Sequence, residues 1–323
     1  MPILLKTDII SIENKETIMK GSMITYPPEG TEPIGVIEII HGMCEHKGRY
    51  EDTMKEFSKR GFICAITDLR GHGENVLTED DYGFFGEDGY KGLTDDVENF
   101  TMYLRREFPK LPLILLGHSM GSLVALSFIK KRSRNIDALV LSGLPAMKPG
   151  VGAGKFLAKV IKFFKGEKYR SPLITKLVFG PFERAFKKEG ILNAWLCSDR
   201  DVVDEYNADP KCGFYFTING YLTLFNLMSS VYSKQGWRFK ELELPIMFAS
   251  GAEDPCRVND TAFKKSVNFI RHRRFRNVVY RLYEDMRHEI FQEPRNKEVF
   301  DDIVKYLKVK GPLRDKDTLD DIE

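Results

Sequence analysis

No stretch of the chain approaches the ~18 consecutive apolar residues of a membrane-spanning helix. The opening Met1-Pro2-Ile3-Leu4-Leu5-Lys6 is too short an apolar run for a secretory leader. These absences set the expectation of a soluble, cytoplasmic protein. Cysteine is scarce and scattered. Cys44, Cys64, Cys197, Cys212 and Cys256 are odd in number and contain no Cys-x-x-Cys pair, which argues against a disulfide framework and a zinc ribbon. Neither sign of charge dominates: 49 basic against 47 acidic residues leave a formal charge of +2, so no nucleic-acid partner is expected. Repeats and low-complexity tracts are absent as well.

Two cofactor signatures are also missing. The first expected parallel strand runs into His41-Gly42-Met43, not into a Gly-x-Gly-x-x-Gly dinucleotide turn. His288-Glu289 has Gln292 where a second zinc-binding histidine would stand. The expectation is therefore an activity without a cofactor and without a metal.

What is present is ample core material: 323 residues, 42% apolar and 12% aromatic. Short apolar runs at 34–40, 62–67, 113–116, 138–141, 246–250 and 278–282 read as strands buried on both faces. Amphipathic runs at 50–59, 93–107, 120–131, 262–269 and 295–308 read as helices between or after them. Such alternation predicts an α/β fold with a mostly parallel sheet and helices on both faces. Residues 3–26 read as an antiparallel hairpin at the sheet edge. Between 145 and 237 the alternation stops, which predicts a helical lid inserted above the sheet. The expected division is 1–144 with 238–309 as core, 145–237 as lid and 310–323 as a charged, frayed tail.

The most informative segment is Leu116-Gly117-His118-Ser119-Met120-Gly121. On this composition a bare Gly-x-Ser-x-Gly arises by chance about 0.1 times, so its context must carry the reading. Apolar strand residues precede it and a helical pattern follows. A nucleophilic serine must stand on a tight strand-to-helix turn, and Gly117 and Gly121 supply the room. An ordinary βα turn with an exposed serine is the bland alternative. After the strand at 34–40, Gly42 and Met43 suit an oxyanion loop, with the backbone N–H groups of Met43 and Met120 as its donors. Two further post-strand loops carry Asp254 and His288. In a parallel sheet these loops share one edge with the serine turn. The roles follow from chemistry: Ser119 as nucleophile, His288 as base, Asp254 as the acid that orients the imidazole. Glu253 is the competitor for the acid. The side chain of His118 is expected to point away from the site.

The segments HGMCEHKGRY (41–50), DLRGHG (68–73), GHSMGS (117–122), SGAEDP (250–255) and MRHE (286–289) resemble the monoglyceride lipase and lysophospholipase branch of the α/β-hydrolases, over about residues 15–308. The resemblance implies an α/β-hydrolase fold, a helical cap that binds the acyl chain, and carboxylic ester hydrolysis of monoacylglycerols, lysophospholipids or similar single-chain esters. Asp68 falls in a segment that reads as structural, tying loops together.

For the lid, residues 155–165 place four lysines on one helical arc and Phe156, Leu157, Val160, Ile161, Phe163 and Phe164 on the other. Phe163, Phe164, Tyr221 and Phe225 are the candidate pocket residues. A surface helix lying on the core is the plain reading; the sharper one is a lid helix whose apolar face covers an acyl pocket and whose lysines make transient contact with an anionic membrane surface. A serine aminopeptidase or amidase on the same scaffold stays open as an alternative, as does a non-catalytic binding protein.

Overall fold

In a computed structural model, residues 2–11, 18–147, 149–238 and 241–313 are described. In chain order the strands are β1 (Ile3–Ser11), β2 (Ile18–Tyr26), β3 (Gly35–Ile40), β4 (Phe62–Thr67), β5 (Leu113–His118), β6 (Ala138–Ser142), β7 (Ile246–Gly251) and β8 (Val278–Tyr283). The helices are α1 (Glu51–Lys59), α2 (Gly89–Glu107), α3 (Met120–Arg132), α4 (Val151–Lys165), α5 (Pro172–Ala185), α6 (Arg200–Ala208), α7 (Ile218–Val231), α8 (Asp260–Arg271) and α9 (Asn296–Val309). The eight strands form one sheet in the order β1-β2-β4-β3-β5-β6-β7-β8. β1 and β2 pair antiparallel at one edge, as the hairpin reading expected, and β2 joins β4 antiparallel. All later pairings are parallel.

Every residue of β3 to β7 is buried, which is why these strands carry no polar face. Successive side chains still alternate between faces. Leu113 and Leu115 enter a core with α2, α3, α7 and α8. Ile114 and Leu116 enter the opposite core with α1 and α9. The loops that follow β3, β5, β7 and β8 therefore emerge along one edge, at the carboxyl ends of parallel strands.

Between β6 and β7 the described residues form four α-helices and no strand. α7 packs on α2 and α3 and carries α4 on its outer side. The docking of α4 corrects the expectation for Phe163 and Phe164. The helix meets α7 along a seam of small residues: Ala158 is fully buried, and a Cβ on Gly154 would sit 3.1 Å from the Phe225 ring. Leu157 and Ile161 flank that seam half-buried, while Phe156, Phe163 and Phe164 are 70%, 85% and 74% exposed. The apolar arc is wider than the contact, and close approach through Gly154 and Ala158 selects only half of it. Among the described residues no helix is long and apolar enough to cross a membrane. Of the expected tail, 314–323 lie outside the described residues.

Candidate active site

β5 ends at His118 and α3 begins at Met120, so Ser119 alone makes the turn. Its backbone takes φ 52° and ψ −117°, a conformation L-residues rarely adopt and one that stores strain. The two glycines of the motif are fixed by contact. A Cβ on Gly117 would lie 2.6 Å from the Gly121 carbonyl oxygen, and one on Gly121 would lie 2.1 Å from the Ile40 carbonyl oxygen. Strand and helix thus approach more closely than any side chain permits. The turn is locked from below: Ser119 N–H donates to the Ser142 carbonyl at 2.8 Å, and the Ser122 hydroxyl donates to the carbonyls of Gly117 and Ser142 at 2.6 and 2.9 Å. Among the described residues the Ser119 hydroxyl itself has no hydrogen-bond partner.

Met120 is the first residue of α3, so its N–H has no acceptor within the helix. Among the described residues Met43 N–H is likewise unclaimed. Gly42 lies against the serine: a Cβ there would be 3.1 Å from the Ser119 Cβ and 2.7 Å from a Glu45 carboxylate oxygen. Met43, Met120 and Ser119 line the same cavity, and an oxyanion would need backbone donors of this kind.

Asp254 and His288 come together as the chain order predicted. His288 Nδ1 lies 3.0 Å from Asp254 Oδ1. The carboxylate also accepts from Cys256 N–H at 2.8 Å and from the Ser250 hydroxyl at 3.1 Å. Glu253 is exposed and faces Arg287, which removes it as the acid. Burial pushes the Asp254 carboxyl up, but the adjacent His288 and these three donors outweigh it and hold it below its ordinary value. Burial opposes charge on His288 too, and the Asp254 carboxylate overrides it, raising the imidazole well above 6.5. With Nδ1–H given to the carboxylate, Nε2 keeps its lone pair. Cys256 Sγ stands 4.0 Å from that nitrogen.

Ser119, His288, Gly42, Met43, Met120 and Phe225 all line one cavity of about 410 Å³. Tyr221 does not: it is fully buried beneath, with its hydroxyl 2.7 Å from Thr175 Oγ1. Phe163 and Phe164 point outward and are absent from the lining. His118 corrects its expectation in the other direction. It lines the cavity, with its ring 4.7 Å from that of His288, because the loop carrying His288 folds over the sheet face on which His118 lies. Burial and the neighbouring His288 lower it to about 4, so it is neutral at physiological pH.

Sequence reasoning missed the group that joins these loops. Arg49 donates to Glu45 at 2.9 Å and, through both terminal nitrogens, to Glu289 at 2.5 and 2.7 Å. Glu45 in turn accepts from Gly42 N–H and from the Tyr50 hydroxyl. The loop after β3 and the residue after His288 are therefore held by one guanidinium. Its other side lies 4.8 Å over the Tyr206 ring, whose hydroxyl donates to the Cys44 carbonyl. Glu45 and Arg49 were visible four residues apart, but Glu289 is distant in sequence and gave no signal. Replacing Arg49 with methionine leaves two buried carboxylates unpaired and is expected to cost about 3–5 kcal/mol of stability. Urea melts check this, and a loss below about 1 kcal/mol would contradict the clamp.

Asp68 behaves as the structural tie the sequence suggested. It accepts from Lys47 N–H at 2.7 Å, Lys47 Nζ at 2.6 Å and Glu74 N–H at 2.9 Å. Beside it, His72 accepts from Cys44 N–H at 3.2 Å and so supports the loop after β3. Among the described residues, two groups of side chains have metal-ligand types: Asp254 with Cys256 and His288, and His46 with Asp209 and Cys212. The first is the acid–base pair itself. In the second, His46 Nδ1 accepts from Gly48 N–H, which puts the ring proton on Nε2, the atom that faces Asp209 and would have to bind the ion.

The family described as serine aminopeptidase, S33, matches residues 31–295. A monoacylglycerol lipase of Mycolicibacterium smegmatis is 26% identical over 86% of this chain and 89% of its own length. The phospholipase YtpA of Bacillus subtilis is 26% identical over 83% of this chain and 93% of its own. In structure, a thermostable carboxyl esterase from Bacillus coagulans superposes with a TM-score of 0.82 at 22% identity, covering 95% of this chain and 98% of that one. The match over residues 31–295, on an eight-stranded, mostly parallel sheet with a serine turn at the end of its fifth strand, makes this chain a member of the family described as serine aminopeptidase, S33, among the α/β-hydrolases and alongside the monoacylglycerol lipases.

Proposed function

We propose that the chain, a carboxylic ester hydrolase, cleaves single-chain acyl esters such as monoacylglycerols or lysophospholipids through an acyl-enzyme on Ser119. The observation that carries this reading is the Asp254–His288 pair at 3.0 Å, opening with the strained Ser119 onto one apolar cavity. His288 Nε2 takes the hydroxyl proton as Ser119 attacks the carbonyl carbon. Met43 N–H and Met120 N–H stabilise the oxyanion, each contributing about 2.7–4 kcal/mol. The imidazolium then protonates the leaving alkoxide, and water repeats the sequence to free the acid.

The cavity walls support an acyl chain. Val151, Leu157, Leu177, Val178, Phe179 and Leu224 surround it, and about 410 Å³ is the size of an ordinary small-molecule site. An aminopeptidase needs a free carboxylate for the substrate's amine. The acids lining this cavity, Glu45 and Glu289, already accept from Arg49, Tyr50 and Gly42. That saturation favours the ester over the amide reading.

Residues 145–237 act as the lid in this proposal. The exposed Phe156, Phe163 and Phe164, beside the exposed Lys159 and Lys165, suit brief contact with an anionic lipid surface. Five buried cysteines, none in a disulfide among the described residues, suit a reducing cytoplasm.

One experiment tests the reading: kcat/KM for a monomeric ester series from acetate to palmitate, with amino-acid anilides in parallel. Activity is expected to rise with chain length. Phe225→Trp should cut the longest chains first. Phe163→Ser with Phe164→Ser should slow hydrolysis of vesicle-borne ester while sparing the monomeric one. Faster turnover of anilides than of esters would overturn the proposal.

A further inference from the structure

Behind the catalytic cavity lies a second concavity of about 560 Å³, built by α2, α3, α4 and α7. α4 and α7 separate the two. Each turns apolar residues toward the catalytic cavity and polar ones toward this cleft: Lys155 from α4, and Asn226 and Ser230 from α7.

The cleft is cationic out of proportion to a chain of net charge +2. Lys91, Lys130, Lys131, Arg132 and Lys155 line it against a single acid, Asp95. That acid is already paired with Arg132 at 2.6 Å. Lys130 is committed as well, donating to the Ser230 carbonyl and lying 5.6 Å over the Trp237 ring. Lys91, Lys131 and Lys155 have no acidic partner among the described residues, and the side chains of Asn226 and Ser230 have no hydrogen-bond partner there.

Cations in the last turn of a helix ordinarily offset its dipole, and this accounts for Lys130, Lys131 and Arg132 at the end of α3. It does not account for Lys91, which sits in the first turn of α2, where a positive charge is unfavourable, or for Lys155, which sits in the second turn of α4 and far from its last turn. Lys91 thus adds cationic charge to a helix end that already attracts anions. We infer that this cleft binds a phosphate-type polyanion, held by Lys91, Lys131 and Lys155 with hydroxyl and amide donors from α7. Lysine suits a multi-oxygen dianion as a point charge, and the cleft has room for more than a single phosphate group. The source is either a soluble phosphate ester or the phosphomonoester head group of a lipid. The site stands independently of the hydrolytic reading.

The test compares the intact protein with the double variant Lys91→Gln, Lys131→Gln. Both lysines are exposed and unpaired, so the fold should persist, as circular dichroism will register. The probes are sodium pyrophosphate, followed by thermal shift at ionic strength held constant with NaCl, and phosphatidylcholine vesicles with or without phosphatidic acid, followed by co-sedimentation. A saturable pyrophosphate shift, weakened at least about tenfold in the variant, supports a soluble phosphate ligand. Binding to phosphatidic acid vesicles alone, lost in the variant, supports a lipid head group. The inference is overturned by a shift that NaCl reproduces, by binding undiminished in the variant, or by no response to either probe.

Discussion

Ser119→Ala is expected to abolish labelling by a fluorophosphonate probe and to lower kcat by about 10⁶-fold, while leaving the melting temperature within a few degrees of the parent. The two halves of this result have separate causes. The hydroxyl is the attacking atom in the proposed reaction, and among the described residues lining the cavity the other hydroxyl, that of Tyr206, is already bonded to the Cys44 carbonyl. Residual hydrolysis, about 10³–10⁴-fold over water, should survive because the backbone donors of Met43 and Met120 remain. Stability should barely move, because the Ser119 hydroxyl bonds to nothing among the described residues and alanine meets the same backbone strain at φ 52°. Ser119→Gly separates strain from chemistry. It should be as inactive as the alanine variant but more stable by about 1–3 kcal/mol, the range stored in one such conformation. Probe labelling with equilibrium melts of all three proteins checks this. An alanine variant that still labels would place the nucleophile elsewhere.

The features legible in the sequence were those set by short-range pattern. Strands β3 to β7 announced themselves because burial on both faces leaves short, mostly apolar runs with no regular polar alternation. The serine turn was readable because Gly117 and Gly121 are forced by backbone contacts within a few residues of Ser119 and with β3. Asp254 and His288 could be placed because post-strand loops of a parallel sheet share an edge. What escaped depends on how elements dock. Periodicity gave α4 an apolar arc but not which half of it meets α7, and the small residues Gly154 and Ala158 made that choice. Tyr221 looked like a pocket residue because its ring is apolar, yet its hydroxyl finds Thr175 and the whole side chain is buried. The joining of Glu45 to Glu289 through Arg49 spans the length of the chain, and nothing local marks it.

That clamp and the acid–base pair meet at His288, and the charge of Asp254 decides the pH at which the pair works. Asp254→Asn is expected to reduce kcat by about 10⁴-fold and to move the acid limb of the pH profile downward. In the parent the Asp254 carboxylate overrides burial and raises His288 well above 6.5. The base acts only when neutral, so the acid limb of kcat/KM should lie above pH 6.5. Asparagine removes the charge and leaves burial in control, which disfavours the imidazolium and carries the limb below 6.5. Stability responds with the opposite sign. A histidine whose folded pKa is raised contributes stability that is fully present below its unfolded value, near ~6.5, and is lost as pH rises through the folded value. The parent should therefore lose stability over the same alkaline range in which it gains activity. The asparagine variant should lack that slope. Urea melts and kcat/KM measured on both proteins from pH 5 to 9 test the two curves together. An acid limb that stays in place in the variant would mean that Asp254 positions the ring without tuning its charge.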